Sequence, residues 1–213
     1  LVLHTHVGSA TPDYGDLPGA GALFAYESLW FSHRPLWFLI WGGVFERHPG
    51  LSIVLAEQGA DWVPDTLRIM DNLYLHMFRH EQERLPLKPS EYWKRQCHLG
   101  ASFLRPTEVG LCAEIGMDNI MWGSDYPHTE GSFPFTKEHL RLTFGDLPIE
   151  DTTKLLTSNV ARLYRFDVDA LRPLADKHCP TKAEVATPID YSEIPEEAKG
   201  CPGMNPLNQV QMV

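Results

Sequence analysis

The hydrophobic positions of this chain fall into two alternating rhythms: short solid runs that suit buried strands, and longer stretches stepped by three and four that suit amphipathic helices. Leu1 to Thr5, Leu51 to Ala56, Cys97 to Leu104 and the run Ile120, Met121, Trp122 after Asn119 read as strands. Ala22 to Arg47 carries Leu23, Tyr26, Leu29, Trp30, Trp37, Ile40, Trp41 and Val44 at helical spacing, and Pro35 predicts a split into two helices. Ala60 to Arg79 repeats Trp62, Val63, Leu67, Met70, Leu73, Tyr74 and Met77 on one face, with Pro64 in the first turn, where proline is tolerated. Pro106 to Ile115, Thr136 to Phe144 and Ile149 to Tyr164 complete the helices. Ser9 to Gly21 reads as a long loop and His80 to Glu91 as a charged connector. Strand and helix alternate, which predicts a parallel α/β sheet. Beyond Phe166 the pattern weakens, and the proline- and glycine-rich stretch from Lys177 to Val213 predicts an extended tail without its own core.

Composition narrows the classes. The 213 residues are 43% hydrophobic, enough for one sizeable core, and the formal net charge of −10, with no basic cluster, disfavours nucleic acid and anionic membrane as partners. The longest apolar region, Leu36 to Val44, is too short to cross a bilayer. Cys97, Cys112, Cys179 and Cys201 are widely spaced and match neither a zinc knuckle nor a disulfide framework, so a reducing, cytoplasmic setting is expected. The chain opens without Met, directly in LVLHTH, and reads as an entry into the middle of a domain rather than a signal peptide.

The chemistry collects where strands end. Asn119 to Glu130, NIMWGSDYPHTE, passes from an apolar run into Asp125 and His128. Parallel sheets and barrels build their sites at that carboxyl end. His4 and His6 mark the end of the first strand and share one side of it; Glu57 follows the second, and His98 lies near the start of the third. Imidazole and carboxylate together suit a divalent metal, with zinc favoured over manganese. Each residue also has an ordinary reading: His6 as a loop histidine, His4 and His98 as packing residues, Glu57 or Asp125 as the cap of the helix or turn that follows. His33, His48, His76, His80, His139 and His178 carry no expected chemistry.

Five blocks in order, His4-Thr-His6-Val-Gly, Phe45-Glu-Arg-His-Pro-Gly50, Ala56-Glu-Gln-Gly-Ala-Asp-Trp62, Trp122-Gly-Ser-Asp-Tyr-Pro-His128 and Asn159-Val-Ala-Arg-Leu-Tyr164, resemble the amidohydrolase-related family that includes aminocarboxymuconate-semialdehyde decarboxylase. The resemblance covers roughly residues 1 to 167, leaving 168 to 213 as the tail. It implies a metal-dependent TIM (β/α)8 barrel of which this chain supplies the last four β-α units. On that pattern His6 is the fifth-strand metal ligand, and Asp125 the eighth-strand carboxylate that binds metal or handles the proton. Glu57 stands where many members, decarboxylases among them, carry a sixth-strand histidine. The first-strand ligand pair has no counterpart before Leu1; His4-Thr-His6 mimics its spacing but is followed by the blocks of the second half.

The implied activity is hydrolysis of a small organic substrate by metal-activated water. Asp125, Glu57 and His128 are the expected catalytic residues, His6 and Asp125 the metal ligands, and His4, Trp122 and Tyr126 the substrate contacts. Non-oxidative decarboxylation of an aromatic or unsaturated acid is the second expectation, and a non-catalytic half-barrel the third. Four strands leave open edges, so a second polypeptide or a missing amino-terminal half is expected to complete the barrel, in a homo-oligomer.

Overall fold

The structure, a computed structural model, describes residues 1–209, so the last four residues of the expected tail lie outside the described residues. It divides into two units: residues 1–58 with 62–100, and residues 59–61 with 101–209 among those described.

The first unit is built on strands β1 (Val2–His6), β2 (Ser52–Ala56) and the beginning of β3 (Cys97–Ser102), which pair in parallel and in chain order. His6 lies in register with Ala56, and Ala56 with Gly100, so the strands end level with one another. Ile53, Val54 and Leu55 are all buried, the solid-run pattern of a strand covered on both faces.

Helix α1 (Ala20–Trp41) departs from expectation. It runs unbroken through Pro35 and ends instead at Gly42 and Gly43, where Gly43 takes the left-handed backbone (φ 67) that stops a helix. Proline forfeits one backbone hydrogen bond, but its fixed φ is helical, and burial of Leu36, the next residue, and of Ile40, a little over one turn on, holds the helix through it. The inward face is not the aromatic one. Ser28, Ser32, His33, Leu36 and Ile40 are buried, whereas Tyr26, Trp30 and Phe38 are exposed. Small polar residues face the strands because they find partners there: Thr5 Oγ1 donates to Ser32 O (3.1 Å) and Gln58 Nε2 to Ser32 Oγ (3.0 Å).

A short helix α2 (Val44–Arg47) precedes β2, and α3 (Val63–Asn72) follows it, burying Val63, Leu67 and Met70 before a wider turn, Leu73–Met77, that buries Tyr74. Helix α4 (Pro89–Gln96) begins in the last residues of the stretch, His80 to Glu91, that reads as a charged connector, and runs on to β3. Its amino terminus is capped from outside, since Asp71 accepts from both Ser90 N (2.9 Å) and Ser90 Oγ (2.6 Å), and Tyr92, Trp93 and Gln96 are buried.

The second unit holds the end of β3, then α5 (Val109–Ile115), β4 (Ile120–Gly123), α6 (Thr136–Phe144), α7 (Ile149–Thr153), α8 (Asn159–Tyr164), α9 (Val168–His178) and α10 (Lys182–Val185). Asn159, from the last of the five sequence blocks, anchors β4 by donating to Met117 O (2.8 Å) and Ile120 O (2.7 Å). The buried Glu108 carboxylate accepts from Ala60 N (2.7 Å), Arg105 N (2.9 Å) and Arg105 Nε (2.8 Å), fixing the turn after Gly59. The segment expected to be an extended tail instead forms α9 and α10, and Ile194, Ala198, Cys201 and Met204 form a buried cluster against Phe103, Phe135, Leu142 and Ile189. Its apolar residues are spaced by irregular turns between prolines, which hid them from a search for regular periodicity.

Candidate active site

In the first unit, the register that sets His6 beside Ala56 brings Glu57, one residue further, against the imidazole: His6 Nε2 is 2.8 Å from Glu57 Oε2. The other ring nitrogen, Nδ1, lies 2.9 Å from Val7 O. A carbonyl only accepts, so Nδ1 carries a proton, and in the neutral ring the Nε2 lone pair then faces the carboxylate. Two lone pairs at that distance repel unless a proton or a cation lies between them. This is the donor set and the tautomer a divalent ion requires, so the residues present fit one.

Glu57 itself has a left-handed backbone (φ 57), uncommon for a residue with a side chain, and is held by its neighbour. Gln58 is 1% exposed and bonded to Ser32. Beside this network the His33 ring stacks on Trp62, centroids 3.7 Å apart at 10°. Gln58, Ser32, His33 and Trp62 were not singled out as a group by the sequence; the signal was the Ser28 and Ser32 pair at a four-residue step within an otherwise apolar helix. His4 is exposed on β1, on the same side as His6. His98 pairs in register with Val54, two residues before the strand's end, a separation of about 7 Å along the strand that sets it apart from the level of His6 and Glu57.

In the second unit, Asp125 also takes the left-handed backbone (φ 57), and its Oδ2 lies 2.9 Å from His128 Nδ1. The carboxylate accepts from Nδ1–H and orients the ring, so that in the neutral form Nε2 is the nitrogen carrying the lone pair. The loop is closed by His128 N donating to Asp125 O (2.9 Å) and Ser132 N to Ser124 O (2.9 Å). Just beyond, Glu130's carboxyl is held below its usual range, chiefly by its own backbone amide and then by the Thr129 hydroxyl and the His128 charge. Tyr126 is exposed and meets Phe133 edge-on at 5.3 Å. Trp122, an expected substrate contact, is half-buried, with its ring against His139 of α6, centroids 5.8 Å apart. Burial drives the thiols of Cys97 and Cys112 upward, that of Cys112 to about 12, which leaves both unreactive.

Imidazoles paired with carboxylates just past the carboxyl ends of parallel strands belong to the class of metal-dependent barrel enzymes. The amidohydrolase family profile matches residues 33–166, more than half of the chain, and the chain belongs to that metal-dependent enzyme family. Comparison with the curated proteins found no match.

Similar solved structures include 5-carboxyvanillate decarboxylase from Sphingomonas paucimobilis, with 23% identity and a TM-score of 0.53 over 78% of this chain and 49% of that one. The 2,6-dihydroxybenzoate decarboxylase from Rhizobium gives 19% and 0.57 over 77% and 51%. A dihydroxybenzoic acid decarboxylase from Polaromonas, solved with manganese and the inhibitor 2-nitroresorcinol, gives 18% and 0.56 over 75% and 49%. At these identities the likeness is one of fold: the chain is part of an amidohydrolase-type (β/α)8 barrel and spans about half the length of the solved structures it matches. No helix among the described residues is long and apolar enough to cross a membrane.

Proposed function

We propose that this chain is the carboxyl-terminal half of a metal-dependent hydrolase acting on a small organic substrate. The observation that carries the reading is the His6 and Glu57 pair, whose 2.8 Å separation and fixed tautomer suit a shared proton or cation. On the family pattern His6 and Asp125 are the metal ligands. A divalent ion would supply Lewis acidity and lower the pKa of bound water. Mixed imidazole and carboxylate donors favour zinc, and the Polaromonas structure holds bound manganese. Glu57 takes and returns the proton of the attacking water, Asp125 serves the metal or the proton, and His128, oriented by Asp125, contacts the substrate or relays the proton. His4, Trp122 and Tyr126 are the proposed substrate contacts.

A second reading is non-oxidative decarboxylation of an aromatic acid, favoured by the three decarboxylases of similar fold. The completed barrel, supplied with zinc or manganese, is offered lactones, amides and hydroxybenzoates in 18O-labelled water. Label entering the organic product supports hydrolysis; carbon dioxide released with no label in the organic product establishes decarboxylation instead. Neither, in a metal-loaded barrel, leaves the non-catalytic reading.

Completion of the barrel is part of the proposal. β1 is an edge strand with Leu1 and Leu3 exposed, and α1 turns Tyr26, Trp30 and Phe38 outward. An apolar edge and an aromatic face of this kind mark an interaction surface. We assign them to a second polypeptide or the amino-terminal half, within a homo-oligomer of cytoplasmic location. A stable monomer of the isolated chain in sedimentation would count against this.

A further inference from the structure

The carboxyl-terminal segment reaches both ends of the loop that carries Asp125 and His128, through His139 at one and Phe135 at the other. At the loop's start, Trp122 stacks on His139, and His139 is in turn covered by Gly203: a β-carbon at Gly203 would overlap His139 Nε2 and lie 3.1 Å from Phe103 O, so no other residue fits without displacing one of them. At its end, Phe135 packs into the cluster of Ile194, Ala198, Cys201 and Met204. The same cluster holds Phe103, whose left-handed backbone (φ 58) ends β3, and Leu104 O next to it accepts from His139 Nε2 (3.1 Å) and Thr143 Oγ1 (3.3 Å). Further along, Arg141 Nε donates to Thr187 O (2.8 Å) and Lys137 pairs with Glu184, so the segment is fastened along the length of α6.

We propose that residues 189–204 are a brace that positions the Asp125–His128 loop, with Gly203 as the residue on which its seating depends. Asp125 needs such support, because a left-handed residue at the end of a strand keeps its conformation only while its surroundings impose it. The influence runs through two routes, from Gly203 through His139 and Trp122 to the loop's first residues, and from Met204 and Ile194 through Phe135 to its last. Burial raises the Cys201 thiol, and the charge of Asp125 adds to the rise, which sets this part of the brace within electrostatic reach of the carboxylate. The catalytic meaning of the brace rests on the role proposed for Asp125 and His128; its mechanical role does not.

Hydrogen exchange on the full chain tests it, with Gly203→Ala and the milder Ile194→Val as brace variants and Leu67→Ala, in the first unit, as the control. In Gly203→Ala the amides of residues 124–135 should exchange about tenfold faster, and in Ile194→Val about threefold, while those of α8 stay within about twofold of the parent. Should Gly203→Ala fail to fold, Ile194→Val carries the test alone. The 15N signals of the His128 imidazole, which report its bond to Asp125, should move in the brace variants and stay in Leu67→Ala. Acceleration shared equally by α8, unchanged exchange in residues 124–135, or a His128 signal unmoved by the brace variants would overturn the proposal. No readout depends on metal or turnover, so failure of the hydrolase reading and failure of the brace are separate results.

Discussion

Acidification should weaken this protein through one side chain, His139, in a pH range above that of the carboxylates. The imidazole is 1% exposed, its Nε2–H donates to Leu104 O, and its Nδ1 is buried with no hydrogen-bond partner. A second proton on the ring would therefore be both desolvated and without an acceptor. Burial is the main reason its pKa falls from 6.5 to about 4, the Leu104 bond opposing it. The folded value lies below the unfolded one. Above pH 6.5 both states are neutral at this residue and it leaves stability unchanged; between 6.5 and about 4 the unfolded chain holds the proton that the folded chain refuses, and stability is lost as pH falls. Across that window, at about 1.4 kcal/mol per pH unit, the loss comes to about 3 kcal/mol. Urea unfolding from about pH 8 to about pH 4 measures it against His139→Gln, whose amide retains a donor for Leu104 O. Glu184, held near 2 chiefly by Lys137, and Asp190 titrate lower and are common to both proteins, so they cancel in the comparison. The variant should lose less stability than the parent on acidification. Parallel curves through the window would refute the reasoning.

Glu108→Gln removes the charge that Arg105 faces and turns an amide toward backbone N–H groups; a destabilisation of about 3 kcal/mol or more is expected in thermal melts. Leu36→Ala, at a site with no exposure, should cost about 2–5 kcal/mol by urea unfolding and show that the stretch after Pro35 holds α1 to its unit. Asp125→Asn should leave the circular dichroism spectrum and melting temperature nearly unchanged, because asparagine tolerates the left-handed backbone, while turnover by the completed barrel is lost. Glu57→Asn should be more stable than Glu57→Gln by about 1 kcal/mol in urea, both being uncharged and differing in how well they accept φ 57; a Gln variant of equal stability would mean the conformation is not strained.

What the sequence made legible was the part governed by local periodicity. The solid runs placed the four strands, Thr136 to Phe144 was found to the residue, and the positions just past the strands contained both His6 with Glu57 and Asp125 with His128. Where it misled, a tertiary partner outweighed the local pattern. Helical spacing alone did not say which face of α1 is buried: Ser28 and Ser32 lie on it, and Ser32 finds partners in Thr5 and Gln58. Helix α4 has few apolar residues, and although Glu91 caps Lys88 N locally (2.8 Å), the bonds from Ser90 to Asp71 reach elsewhere in the chain, beyond any reading of residues 88–96. His139 carried no signal at all, because an isolated histidine on a helix becomes distinctive only once Trp122, Leu104 and Gly203 enclose it.

The left-handed residues explain why chemistry and fold are hard to separate here. Glu57, Phe103 and Asp125 each fall within two residues of a strand's end, and none is glycine. Local preference opposes that conformation by about 1–2 kcal/mol for an ordinary side chain, so a sequence selected for stability alone would favour glycine at these points. A side chain kept there must gain something from its placement. Glu57 gains its contact with His6, Asp125 its contact with His128, and Phe103 its seat in the carboxyl-terminal cluster. Two of the three put a carboxylate beside an imidazole; the third ties β3 to the segment that covers α6. Ala10 and Arg165 are left-handed as well, away from any strand's carboxyl end; at the strand ends the strain falls on the residues expected to do the chemistry and on the one that fastens their support. That distribution follows if the strand ends are held for function and the carboxyl-terminal segment belongs to the means of holding them.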